Sequence, residues 1–157
     1  STYVLRRLMS KKYKKYKQGI YKPATDKYKG GSNPKYRSSW ELKFFRWCDN
    51  NPNVVEWTSE SVVVPYTSPL DGRSHRYFVD NVIKIKEGNR ITKYLIEIKP
   101  KKQTLKPTVH GNKKKSTILY ENLEYIRNLA KWAAAKKWCS KRDYKFQILT
   151  EDHLQIR

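Results

Sequence analysis

Negative charge is scarce in this sequence. It holds 14 Asp and Glu against 35 Lys and Arg, a formal net charge of +21 over 157 residues. That imbalance favours a polyanionic partner, with nucleic acid first and an anionic membrane surface second. No apolar run approaches the roughly 20 residues of a membrane-spanning helix, and no signal-peptide pattern is seen, so no membrane is expected. Cysteine is nearly absent. Cys48 and Cys139 lie far apart in apolar-aromatic surroundings and form no C-x-x-C pair. A zinc site is therefore not expected, and both read as reduced core thiols of a cytosolic protein. The three histidines, His75, His110 and His153, are scattered without metal-ligand spacing.

What is present suffices for one domain with an appended arm: 38% of residues are hydrophobic and 13% aromatic. The arm is taken as residues 1–35 and the domain as 36–157. Residues 1–37 carry nine Lys and three Arg against Asp26, a net of +11, with Tyr3, Tyr13, Tyr16, Tyr21, Tyr28 and Tyr36 interleaved. Lysines such as Lys11, Lys12, Lys14 and Lys15, set among aromatics, suit phosphate contact and base stacking. A solubilising tail is the other reading. Tyr3–Lys17 has the makings of a short basic helix, while Pro23–Pro34, with Gly30-Gly31-Ser32-Asn33, reads as irregular.

Beyond the arm, Trp40, Phe44 and Trp47, with Leu42, Phe45 and Cys48 alongside, predict a largely buried helix that Asn50-Asn51-Pro52-Asn53 ends. Ser38-x-x-Glu41 has capping-box spacing, so Glu41 reads first as a cap. Ser61–Tyr66 is expected to be a strand, and Ser68–Gly72 a turn. Tyr77–Lys86 and Ile91–Lys99 are two further strands joined by the polar turn Glu87-Gly88-Asn89-Arg90. A basic loop follows, holding Lys101, Lys102, Gln103, Lys113, Lys114 and Lys115. It is either a solvated surface or, from its position, a phosphate contact. Thr117–Lys141 is the longest helix, with Leu119, Leu123, Ile126, Ala130 and Ala133 as its core stripe, thickened by Trp132 and Trp138, and Tyr144–Thr150 is the last strand. The order helix, three strands, helix, strand predicts one mixed four-stranded sheet with helices on its faces.

Strand parity gives the middle of this plan a chemical meaning. Asp80 shares a face with Phe78 and Val82, and Glu97 with Leu95 and Lys99, so an Asp and a Glu-x-Lys can meet on one side of a ribbon. Two adjacent carboxylates raise each other's pKa unless a cation lies between them. Mg²⁺ is held by one or two carboxylates with water and phosphate oxygens, and a lysine two residues on can neutralise charge on a phosphorus centre. The same alternation also describes the solvated face of a plain hairpin.

The element order, with Glu41 on the first helix, Asp80 on the second strand and Glu97-Ile98-Lys99 on the third, resembles the PD-(D/E)XK nucleases. Closer matches are Arg37-Ser38-Ser39-Trp40-Glu41, Phe45-x-Trp47-Cys48-Asp49, Asn51-Pro52-x-Val54-x-Glu56-Trp57, Pro65-Tyr66, Ser68-Pro69-x-Asp71-Gly72, His75-Arg76-Tyr77-Phe78-x-Asp80 and Leu95-Ile96-Glu97-Ile98-Lys99-Pro100-Lys101-Lys102-Gln103-Thr104. Over residues 20–110 these resemble the head completion nucleases of T-even-type tailed phages. Transposon-encoded end-cleaving nucleases look like more distant relatives.

The resemblance implies a restriction-endonuclease-like core and a Mg²⁺-dependent deoxyribonuclease, with Mn²⁺ as substitute. Asp80, Glu97 and the Ile98 carbonyl would bind the ion, Lys99 would assist the attacking water, and Glu41 would be an accessory acid. Arg37, the arm lysines and the basic loop would hold double-stranded DNA. The implied setting is the host cytoplasm, on packaged DNA in assembling phage heads, with head-vertex or neck proteins as partners, retention in the virion left open and a monomer expected. Val79 stands where the motif has proline, and Asn81 where an apolar residue follows the Asp. A non-catalytic, DNA-binding head-completion factor is the alternative, against which the intact Glu41, Asp80, Glu97 and Lys99 argue.

Overall fold

The computed structural model describes residues 18–154. The proposed helix Tyr3–Lys17 and the DNA-binding assignments at Lys11, Lys12, Lys14 and Lys15 lie outside them. At the centre is a mixed four-stranded sheet in the order β3-β6-β7-β8. Its strands are β3 (Val54–Ser59), β6 (Asn81–Glu87), β7 (Arg90–Ile98) and β8 (Lys145–Leu149). β3, β6 and β7 pair antiparallel, and β8 joins β7 in parallel. The parallel step needs a crossover, supplied by the long helix α2 (Lys115–Ser140).

Alternation along the strands divides the core in two. Val82 and Leu95 face α2, where they pack with Trp132, Ala135 and Cys139. Ile83 and Ile96 face helix α1 (Ser39–Asn50), meeting Phe44, Phe45, Cys48 and Trp57. Helices on both faces of one sheet give the restriction-endonuclease-like α/β core. Both cysteines are free and buried, on opposite faces of the sheet. Among the described residues no helix is long and apolar enough to cross a membrane.

Three expectations about this frame need correction. The first strand of the sheet is β3, not the Ser61–Tyr66 run. That run supplies β4 (Val63–Thr67), which pairs only with β5 (Ser74–Phe78) in a separate ribbon packed on α2. Second, Tyr77–Lys86 is not one strand. It breaks at Val79-Asp80, where the Val79 amide turns aside to the Val62 carbonyl, so Phe78 is exposed while Val82 is buried. Third, α2 turns Leu119, Leu123 and Ile126 of the expected stripe away from the core, while Trp132, Trp138 and Ala130 pack on it as expected. Asn128, Trp132, Ala135 and Cys139 are its buried residues, whereas Leu119, Leu123 and Ile126 are exposed.

Residues 18–36 pack on the domain. β1 (Gly19–Ile20) pairs with β2 (Lys35–Tyr36), and Tyr21, Tyr28 and Tyr36 lie against the α1-side core. These three tyrosines, read from the sequence as nucleic-acid contacts, therefore have a packing role. The anchor is Asp49. It accepts hydrogen bonds from the Tyr21 hydroxyl (2.6 Å), the Ala24 amide (2.7 Å), the Thr25 hydroxyl (2.8 Å) and the Trp57 indole (3.0 Å). Burial alone would raise its pKa, but these four donors together hold it below the ordinary value.

Candidate active site

The hairpin β6–β7 sets the site. Its two-residue turn has Gly88 at φ +62°, a left-handed conformation that glycine adopts without steric penalty. The register runs Ile83↔Tyr94, Val82↔Leu95, Asn81↔Ile96. One step further it places Asp80 opposite Glu97, and directly opposed residues have Cβ atoms about 5 Å apart. Asp80 sits just past the end of the ladder, held at both ends. Its carbonyl accepts from the Glu60 amide (3.0 Å), and its Oδ2 accepts from the Ile98 amide (2.8 Å).

Glu97 is buried at 5% exposure. Its Oε2 accepts from the Tyr77 hydroxyl (2.7 Å) on the ribbon and the Trp132 indole (3.1 Å) on α2. Each carboxyl thus has one oxygen fixed by donors. Asp80 is pushed well above the usual carboxylate range, first by burial and then by the adjacent Glu97 carboxylate, with Glu41 adding to the effect and the Ile98 amide opposing it. Among the described residues neither carboxyl is in a salt bridge, and Arg37 and Lys131 act on them from farther off. Tyr77, buried against Glu97, is likewise raised, by burial first.

Glu41 enters from the first turn of α1. Ser38 caps the helix, its hydroxyl accepting from the Glu41 amide (3.2 Å). The Glu41 side chain reaches back past the cap to the Arg37 amide (2.8 Å) and lies 3.4 Å from the Ser38 hydroxyl. Capping and site geometry thus coexist at one residue. Burial raises its pKa, with the Arg37 amide and charge opposing.

All of these converge on one cleft of about 280 Å³, whose walls include Arg37, Glu41, Asp80, Glu97, Ile98 and Lys99. Larger cavities lie elsewhere, but this one holds the acids. No three His, Cys, Asp or Glu side chains among the described residues form a ready-made cation cage. A hard divalent ion nonetheless fits the donor set: two adjacent carboxyl groups outside any salt bridge, each anchored through one oxygen.

Residues 51–151 match the family model described as TnsA-like endonuclease N terminal. The chain belongs to that family. It is also 42% identical, over 135 residues, to the head completion nuclease of Enterobacteria phage T4, with 82% of this chain and 87% of that protein covered. It is a nuclease. The matched span of this TnsA-like endonuclease runs from β3 to β8 and contains Asp80, Glu97, Ile98 and Lys99, while Glu41 precedes it.

Of the remaining basic residues proposed as contacts, only Arg37 among the described ones lies at this cleft. Arg37 lines it with its guanidinium paired to Glu60 (2.6 Å). Lys101 pairs with Asp152 (3.0 Å) on the short helix α3 (Glu151–Leu154). Lys102 and Gln103 line a neighbouring cavity, Lys113 bridges the Thr108 carbonyl and Glu121, and Lys114 and Lys115 are exposed where α2 begins. One cation escaped the sequence reading. Lys131, half-buried on α2, lies over the Tyr77 ring at 5.5 Å. Its pKa is lowered by burial first, with Glu97 pulling it up and Lys99 pushing it down. Its signal is position: it flanks the buried series Asn128, Trp132 and Ala135, on the side away from Leu119, Leu123 and Ile126.

Proposed function

We propose that the chain is a Mg²⁺-dependent deoxyribonuclease, active also with Mn²⁺, that hydrolyses phosphodiester bonds of packaged double-stranded DNA during head completion and head–tail joining. The observation carrying this reading is the convergence of Glu41, Asp80, Glu97 and Lys99 on one cleft. Asp80 and Glu97, with the Ile98 carbonyl, would hold the ion, which when bound supplies Lewis-acid polarisation of a phosphoryl oxygen and a more acidic water. Lys99 sets a positive charge beside the phosphorus as a water oxygen bonds to it, the P–O ester bond breaks and the leaving oxygen gains a proton. Glu41, kept poorly solvated, accepts a proton or orients the water. Tyr77 and Trp132 hold Glu97 in place.

Arg37 and the lysines of the loop and arm bind the backbone, the lysines as point charges, so affinity follows salt more than sequence. The setting would be the host cytoplasm at assembling heads, with head-vertex or neck proteins as partners; the T4 relative's name, head completion nuclease, supports the association with heads. The test incubates the protein with linear and supercoiled DNA in Mg²⁺, Mn²⁺ or chelator, beside Asp80→Ala and Lys99→Ala. Wild type cuts with either metal and not with chelator, and both variants bind without cutting. DNA binding with no cleavage by wild type under any condition overturns the reading in favour of a structural factor.

A further inference from the structure

Beside the catalytic cleft, the basic loop and α2 enclose a second cavity of about 360 Å³, within the size range of small-molecule sites. Its floor is Asn128, a residue 5% exposed whose side chain has no hydrogen-bond partner among the described residues. Asn128 lines the cavity from the helix. Tyr120 and Tyr125 flank it along the helix, and Leu105 and Pro107 close it from the loop. The Lys113 ammonium ties the loop down through the Thr108 carbonyl (3.0 Å) and Glu121 (2.9 Å).

This chemistry separates base from phosphate. Glu121 and Glu124 line the interior, each paired with a cation, Lys113 and Arg127. Their carboxylate oxygens can still accept hydrogen bonds from exocyclic amines. An amide pairs with a base edge, and aromatic and apolar walls stack on its faces. Lys102 and Lys106 at the wall suit the attached phosphates. The cavity is also close to the cleft. Pro100 lines one and Lys102 the other, a separation of at most about 7 Å of chain.

We propose that this cavity takes one unpaired base of the DNA next to the phosphodiester being cut, so that the enzyme prefers frayed or overhanging ends. The proposal rests on DNA being the substrate. The test measures binding of the full chain in chelator to hairpin DNA with a one-nucleotide 2-aminopurine overhang, the same overhang made abasic, and a blunt end. The expected result is about tenfold tighter binding of the base-bearing overhang, or roughly 1.4 kcal/mol, with quenched 2-aminopurine emission. Asn128→Leu, close in volume, and Tyr120→Ala, at an exposed position, each reduce the preference to below about threefold while Mg²⁺-dependent cutting of blunt duplex persists. Equal binding of base-bearing and abasic overhangs overturns the proposal. Base preference without any cutting overturns the nuclease reading instead and leaves the cavity assignment standing.

Discussion

Replacing Asp80 with Asn should make the metal-free protein more stable and catalytically dead. Asp80 and Glu97 face each other across the end of the β6–β7 ladder, and burial and mutual repulsion raise the Asp80 pKa. Two unit charges about 5 Å apart at an effective dielectric of about 20 repel by roughly 3 kcal/mol, an upper figure because a shared proton relieves part of it. The amide introduced by Asp80→Asn would keep an oxygen for the Ile98 amide, 2.8 Å away in the wild type, and offer Glu97 an N–H in place of a charge. For a chain of this length roughly 2–4 °C accompanies each kcal/mol, so in chelator at pH 8 the Tm should rise by about 3–10 °C. The sign follows from linkage. A carboxyl whose folded pKa is raised contributes stability that is present below its unfolded pKa and lost as pH rises through the folded one. The advantage of Asp80→Asn should therefore shrink toward pH 4. Saturating Mg²⁺ should close the gap from the other side, since an ion at 100 times its Kd stabilises the wild type by about 2.7 kcal/mol. Thermal scans at pH 4, 6 and 8, with and without Mg²⁺, decide it. A variant no more stable than wild type in chelator at pH 8 would refute the repulsion argument.

Glu41→Gln should retain the helix cap, because its amide nitrogen and side-chain oxygen keep their partners Ser38 and Arg37; stability should move by less than about 1 kcal/mol while cleavage falls at least tenfold. Unchanged cleavage in a gel assay returns Glu41 to capping alone. Asp49→Ala leaves four donors, from Tyr21, Ala24, Thr25 and Trp57, without their acceptor, and should destabilise by at least about 3 kcal/mol in urea titration. Because the Asp49 pKa is depressed, its contribution is full above about pH 4 and is lost as pH falls through the folded value. The acid-unfolding curve of the variant should be correspondingly shallower. Lys114→Gln with Lys115→Gln should lower the slope of log K against log salt by about 2 in a filter-binding series; an unchanged slope removes both from the DNA contact.

Where local chemistry decided the outcome, the fold could be read from the sequence. The Ser38 cap, the Gly88 turn and the alternation through Val82–Ile85 and Leu95–Ile98 act within a few residues, and they place Asp80 opposite Glu97. Non-local interactions concealed the rest. β3 carries a bulge between Val54 and Glu56 that breaks the period of two. The break at Val79-Asp80 falls inside a run of strand-forming residues, and its cause is Val62, seventeen positions away. α2 misled because its leucines and isoleucines face solvent, while the sheet receives Asn128, Trp132, Ala135 and Cys139. Counting large aliphatic residues picks the wrong side when the buried face is indole, alanine and amide. Tyr21 and Tyr28 have the pattern of nucleic-acid contacts, yet Asp49 and Trp57 hold them inward.

The indole of Trp132 donates to an acid at the heart of the cleft, 3.1 Å from its oxygen. Indole emission shifts in colour and yield with the electric field around the ring, so this contact is an intrinsic optical gauge. A change of charge on Glu97, from a proton or an arriving ion, is written into the fluorescence of the unlabelled protein. Trp132→Phe identifies which part of the spectrum belongs to it.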